Sequence, residues 1–146
     1  MSKLVFILFA IVLVSCSDDD KWFSPPDNLS LEIHNEINYY RLMSGRPAIE
    51  YSSYIEEQVF LHAQYLETVG NINYDNQTGR FEAIKSNLSV ENCYEYVFLG
   101  DAKGAWLVEK LTESLSSESV MLNATHFGVA AVKFDSEYFL VIIFAS

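Results

Sequence analysis

Only two cysteines occur in the 146 residues, Cys16 and Cys93, too few for the disulfide framework that staples many small secreted domains. The fold must therefore rest on a hydrophobic core. Positive charge is equally scarce. Nine Lys and Arg stand against twenty Asp and Glu, a formal net charge of −11, and no two basic residues adjoin. Nucleic acid is thereby excluded as a partner, because phosphate binding relies on clustered Lys and Arg. Direct adhesion to anionic headgroups is disfavoured for the same reason. Long apolar runs are missing too. Leu4 to Val14 is well short of the roughly 20 residues needed to span a bilayer, and Asp18, Asp19 and Asp20 follow it closely. No internal repeat is present.

What is there begins with that short run. Lys3 supplies a positive n-region, Leu4 to Val14 an apolar h-region, and Val14-Ser15 the residues a signal peptidase tolerates before its cut. Leu13-Val14-Ser15-Cys16 resembles the bacterial lipobox, in which the Cys is acylated and becomes the first mature residue. An ordinary cleaved signal with an incidental Cys is the plainer alternative. The Asp cluster behind Cys16 also resembles the export signal that some Gram-negative groups use to place lipoproteins on the outer cell face. The expectation is a lipid-anchored protein of the bacterial cell envelope, at the outer membrane, attached through acyl chains on Cys16. Loss of residues 1–15 removes Lys3 and leaves eight basic residues, a net charge of −12. Only Cys93 is then free, so no internal disulfide can form.

Residues 16–28, Asp-rich and then Ser24-Pro25-Pro26-Asp27, read as a tether, and residues 29–146 as one domain. Asn28 or Ser30 can cap a helix with Ile33, Ile37 and Tyr40 on one face, ended by Gly45 and Pro47. A second helix starts near Ser53, its apolar stripe Ile55, Val59, His62, Ala63 and Leu66, with Gly70 at a left-handed cap. Asn71 to Gly79 reads as a loop, Arg80 to Ser86 as a short helix, and Val90 to Phe98 as a strand or ordered loop. A third long helix is expected from Ala102 to Leu115, followed by a polar, flexible serine-rich loop. Phe127, Val129 and Ala131 alternate, Asp135-Ser136-Glu137 turns, and Tyr138 to Phe144 is almost unbroken apolar sequence, which makes a hairpin with a buried strand. Helices precede strands, so the class is α+β, a three-layer α-β-α sandwich with a central antiparallel sheet.

Ile33-His34-Asn35-Glu36 with Arg41, then Gly45, Pro47, Ile49, Tyr51, Ile55 and His62-Ala63, followed by Val90-Glu91-Asn92, the helix around Trp106, and Phe127-Gly128-Val129, resemble in order and spacing the CAP superfamily. This is the family of cysteine-rich secretory proteins, antigen 5 and pathogenesis-related 1 proteins, also called SCP-like. The resemblance covers roughly residues 29 to 146 and implies an α-β-α sandwich. It also implies a central cleft, where many members gather two His and two Glu suited to a divalent metal. In that register the His positions fall on Tyr74 and Ser117, one Glu is retained as Glu91, and the second lies near Glu113. The candidate cleft is therefore Tyr74, Glu91, Glu113 and Ser117. Two carboxylates without imidazoles make a poor zinc site and a weak calcium site, so neither a metal nor a cofactor is expected.

The histidines have structural readings. His62 lies on the apolar stripe of the second helix and reads as a core or boundary residue, His34 as a structural hydrogen-bonding residue, and His126 as a surface residue. No His or Asp spacing ties Ser114, Ser116, Ser117 or Ser119 to a base. Cys93 sits among Glu91 and Glu95, which argues against a reactive thiol. Tyr94, Tyr96 and Phe98 either line a ligand cleft or, more plainly, fill the core. The expected function is a binding or interaction module for a lipid or protein ligand. The alternative is a metal-assisted or serine-type hydrolase using Glu91 with an unidentified partner.

Overall fold

The computed structural model describes residues 28–146. The signal segment, Cys16 and all but the last residue of the tether lie outside the described residues. The elements run α1 (Asn28–Met43), β1 (Glu50–Tyr51), α2 (Ser53–Val69), α3 (Gln77–Leu88), β2 (Cys93–Gly100), α4 (Gly104–Thr112), α5 (Leu115–Asn123), β3 (His126–Phe134) and β4 (Glu137–Ala145).

Strand β4 explains the architecture. Successive side chains of a strand point to opposite faces, so its apolar run serves two cores at once. Leu140, Ile142 and Phe144 pack with Ile33, Ile37, Leu107, Leu111 and Met121 of α1, α4 and α5. Phe139, Val141, Ile143 and Ala145 pack with Ile55, Val59, Ala63, Leu66 and Ile84 of α2 and α3. The result is the α-β-α sandwich. In the sheet the order is β1-β3-β4-β2, with β2, β4 and β3 antiparallel and the two residues of β1 added in parallel to β3 at one edge.

Helix α2 follows its sequence signals closely. The Ser52 hydroxyl accepts from the Ile55 amide at 3.3 Å, and Gly70, at φ 73°, closes the other end by donating its amide to the Leu66 carbonyl at 2.8 Å. The stripe Ile55, Val59, His62, Ala63 and Leu66 is buried. The helix lies so close to β3 that Gly128 is obligatory. A Cβ there would come within 2.5 Å of the Glu56 amide nitrogen.

Two expectations need correction. The Asn-rich segment is not loop as far as Gly79: α3 already begins at Gln77, with Asn76 at φ 54° turning the chain into it. Asn is among the few residues that tolerate this left-handed conformation, and that local freedom outweighed the weak apolar pattern of the segment. The serine-rich segment is not a flexible loop either. The single helix expected over 102–115 breaks at Glu113 and Ser114, and Ser114 then caps α5, its hydroxyl accepting from the Ser116 amide at 3.2 Å. Serine weakens a helix interior and strengthens a helix start, and the second effect prevails here.

Candidate functional site

On the α2–α3 side of the sheet, three elements bring a carboxylate, a guanidinium and an imidazole together. Glu95 occupies an inward-facing position of β2 between Cys93 and Val97, and its side chain is fully buried. Both its oxygens are doubly occupied. Oε1 accepts from His62 Nδ1 at 2.8 Å and from Arg80 Nε at 3.0 Å. Oε2 accepts from Arg80 Nη2 at 2.8 Å and from Gln77 Nε2 at 3.1 Å. Arg80 also donates through Nη1 to the Asp75 carbonyl at 2.6 Å.

Burial by itself raises the Glu95 pKa, but the hydrogen bonds from His62 and Arg80 and their charge outweigh it and hold the carboxyl below its usual range. An ionised Glu95 requires a proton on His62 Nδ1. In the neutral ring Nε2 is then an acceptor, and it is buried with no hydrogen-bond partner among the described residues.

His62 lines a cavity of about 400 Å³ with Gln58, Leu61, Tyr65, Asp75, Asn76 and Arg80. The Tyr65 ring stacks at 22° to the His62 ring, centroids 6.4 Å apart, and its hydroxyl donates to Asp75 Oδ2 at 2.6 Å. That hydrogen bond, more than the slight burial, raises the Tyr65 phenol above its usual pKa. Glu95 has no lone pair left for a proton or a metal, and among the described residues no hydroxyl or thiol is in a hydrogen bond with His62. Among the described residues no group of three His, Cys, Asp or Glu could hold a metal ion.

The four residues placed in the cleft by resemblance occupy separate surroundings. Glu91 is exposed in the turn before β2, its amide donating to the Ser146 carbonyl at 2.9 Å. Glu113 is exposed and ion-paired with Lys110. Ser117 is buried, its hydroxyl donating to the Leu111 carbonyl at 2.6 Å. Tyr74 is exposed on the α2–α3 connection and close enough to Tyr96 to raise its phenol, though burial does so more strongly. No hydrogen bond or ion pair joins any two of the four.

His34 packs against the rings of both Tyr51 and Phe127, at 5.3 and 5.5 Å, while His126 Nε2 lies 3.6 Å from Glu50. Tyr96 and Phe98 pack against the α1–α4–α5 core, whereas Tyr94 is largely exposed and lines a cavity of about 160 Å³ with Ser119 and Asn123. Cys93 is free and buried, and burial pushes its thiol pKa up despite Lys85.

Sequence reasoning placed His62 in the core but missed its partners Arg80, Glu95 and Gln77. One signal was available: in Cys93-Tyr94-Glu95-Tyr96-Val97 a charged residue shares strand parity with two apolar ones, so it had to be buried and paired.

Comparison with known proteins bears on the same chain. The model of the CAP, cysteine-rich secretory protein family matches residues 34–144. Comparison with curated proteins finds no match. Among solved structures, an outer surface protein from Borrelia burgdorferi superposes with a TM-score of 0.70 at 16% identity, over 84% of this chain and 96% of that one. An extracellular SCP-domain protein from Bacillus anthracis gives 0.66 at 14% identity, and a cysteine-rich secretory protein from Staphylococcus aureus 0.64 at 16%. These cover 84% and 81% of this chain but only 45% and 38% of theirs.

Proposed function

Since this chain belongs to the cysteine-rich secretory protein family, we propose that it works outside the cytoplasm as a binding module, held to the cell envelope by acyl chains on Cys16, and that its ligand enters the cavity beside His62. The observation that carries the reading is the buried, unpartnered ring nitrogen of His62, a residue that lines a cavity of ligand size. A buried polar atom left without a partner costs free energy, and a polar group of a ligand that reached it would recover that cost. Glu95, Arg80 and Gln77 fix the imidazole in place, so the site is formed in advance and little ordering is needed on binding. Its location outside the cytoplasm is supported by the lipobox-like start and by the likeness to surface and extracellular proteins. No helix among the described residues is long and apolar enough to cross a membrane.

The test is recovery of the acylated protein from cells in mild detergent, with mass-spectrometric identification of the small molecules that accompany it. A compound present with the wild type and lost from His62→Gln is expected. Recovery of the same compounds from both proteins would reject the cavity as the binding site.

A further inference from the structure

The chemistry of the cavity wall narrows the class of ligand, on the premise that the cavity beside His62 is the binding site. We propose that it takes a neutral saccharide. The wall carries both signs of charge: Asp75 on the α2–α3 connection and Arg80 on α3, with Glu95 directly behind Arg80. An anion would find Arg80 already paired with Glu95 and would meet the Asp75 carboxylate, and an ammonium would find Asp75 already hydrogen-bonded by the Tyr65 hydroxyl with the Arg80 guanidinium beside it, so neither sign of charge meets an unengaged partner. An apolar ligand would strip water from Gln58, Asp75, Asn76 and Arg80 without replacing it. A neutral polar ligand avoids all three penalties.

The hydrogen-bonding inventory specifies that ligand further. His62 brings the ring nitrogen that Glu95 leaves unused, Asp75 only accepts, and Gln58 and Asn76 carry amides that accept as well as donate. A partner for this set must bring several donors, each able to accept in turn, which is the property of a row of hydroxyls. Tyr65 supplies the remaining requirement. The residue is 41% exposed, and the bond from its hydroxyl to Asp75 together with stacking on His62 holds the ring as a fixed plate. The C–H face of a sugar ring can lie on such a plate while its hydroxyls reach the polar groups. Leu61, 48% exposed, extends the apolar surface by one helical turn from Tyr65. The volume of about 400 Å³ lies within the range of small-molecule sites.

Saturation-transfer NMR on the acylated protein in detergent tests this with four probes: maltotriose, N-acetylchitotriose, spermidine and glucose 6-phosphate. Signal is expected from at least one of the two neutral saccharides. Tyr65→Ala should weaken that binding about tenfold, and Tyr65→Phe, which keeps the plate, should weaken it less. Circular dichroism of each variant separates lost binding from lost folding. Tyr65-dependent signal from spermidine or glucose 6-phosphate alone would overturn the saccharide assignment and leave the cavity as a binding site. Silence from all four, or saccharide signal unchanged in Tyr65→Ala, would overturn the saccharide assignment. If the compounds accompanying the protein from cells are also indifferent to His62→Gln, the binding-site reading fails separately.

Discussion

Arg80 grips Glu95 with two parallel hydrogen bonds, Nε to Oε1 at 3.0 Å and Nη2 to Oε2 at 2.8 Å, in the layer between α3 and the sheet. A two-pronged guanidinium–carboxylate pair fixes both partners in orientation as well as distance. Because Glu95 also accepts the hydrogen bond from His62 Nδ1, the pair determines which imidazole nitrogen remains free. What His62 offers the cavity is therefore set by a residue that does not line it.

Breaking that pair from the cationic side should be severe. Arg80→Ala leaves the Glu95 carboxylate buried with only His62 and Gln77 as donors, and an uncompensated buried charge typically costs about 3–5 kcal/mol. Urea denaturation at neutral pH measures the loss. A change below about 1 kcal/mol, the range of an exposed pair, would show that the network is solvated.

Acid should weaken the fold through the same carboxyl. Its pKa is depressed in the folded protein, so the stabilisation is fully present above the ordinary carboxylate pKa of about 4.3 and is lost as pH falls through the lower folded value. Glu95→Gln removes this group from the titration. Its deficit against wild type should be largest near neutrality and shrink below about pH 4, as read from urea midpoints across the pH range. A deficit that grows in acid would reverse the sign of the argument.

How much of this was legible in the sequence depended on how local the cause was. The stripe of α2, its start near Ser53 and the Gly70 terminus are each written in the helix's own short stretch of sequence, and the structure follows them. The run Tyr138 to Phe144 announced a buried strand because apolar residues at both parities leave no solvent face. The early start of α3 depended on Asn76 adopting φ 54°, a choice that many sequences with Asn leave open. The polar cluster was least legible. His62, Arg80 and Glu95 come from two helices and a strand, and nothing in their spacing brings them together. Only Glu95, charged at an inward strand position, carried a local warning.

Contact between α2 and β3 should tolerate no side chain at Gly128. A methyl group there would lie 2.5 Å from the Glu56 nitrogen and 2.8 Å from the Ile55 carbonyl carbon, both backbone atoms that cannot swing away. Gly128→Ala should cost about 1–3 kcal/mol by forcing the helix off the sheet. Gly45→Ala is the control: its Cβ meets nothing within 4 Å, and only the left-handed φ of 75° opposes it, at about 1–2 kcal/mol. Thermal melts should show the larger drop for Gly128→Ala; the reverse order would mean that the helix–sheet contact yields easily.

Zinc should find no specific site at the positions the family resemblance placed in its cleft. Glu113 is engaged by Lys110, Ser117 donates to backbone carbonyls, and Glu91 stands exposed on its own turn. A zinc centre needs about four ligands, usually with imidazole or thiolate among them. Calorimetric titration should give only weak binding that Glu91→Ala leaves unchanged. A one-to-one site of micromolar affinity abolished by Glu91→Ala would require these side chains to rearrange around the metal.

The proposed anchoring rests on Cys16. It follows an apolar run too short to span a bilayer and precedes three aspartates that cannot enter one, so the segment is suited to processing and anchoring and not to passage through the membrane. The mature chain carries too few positive charges to adhere to anionic lipid, and a single acyl chain binds only marginally, whereas the several chains of a lipoprotein anchor hold firmly. Cys16→Ala should therefore release the protein from the membrane fraction, or leave it as the slower-migrating precursor with residues 1–15 attached. Metabolic labelling with a palmitate analogue should mark the wild type and not the variant. If the variant fractionates and migrates like the wild type, attachment does not depend on Cys16, and the anchor must be sought elsewhere in the chain.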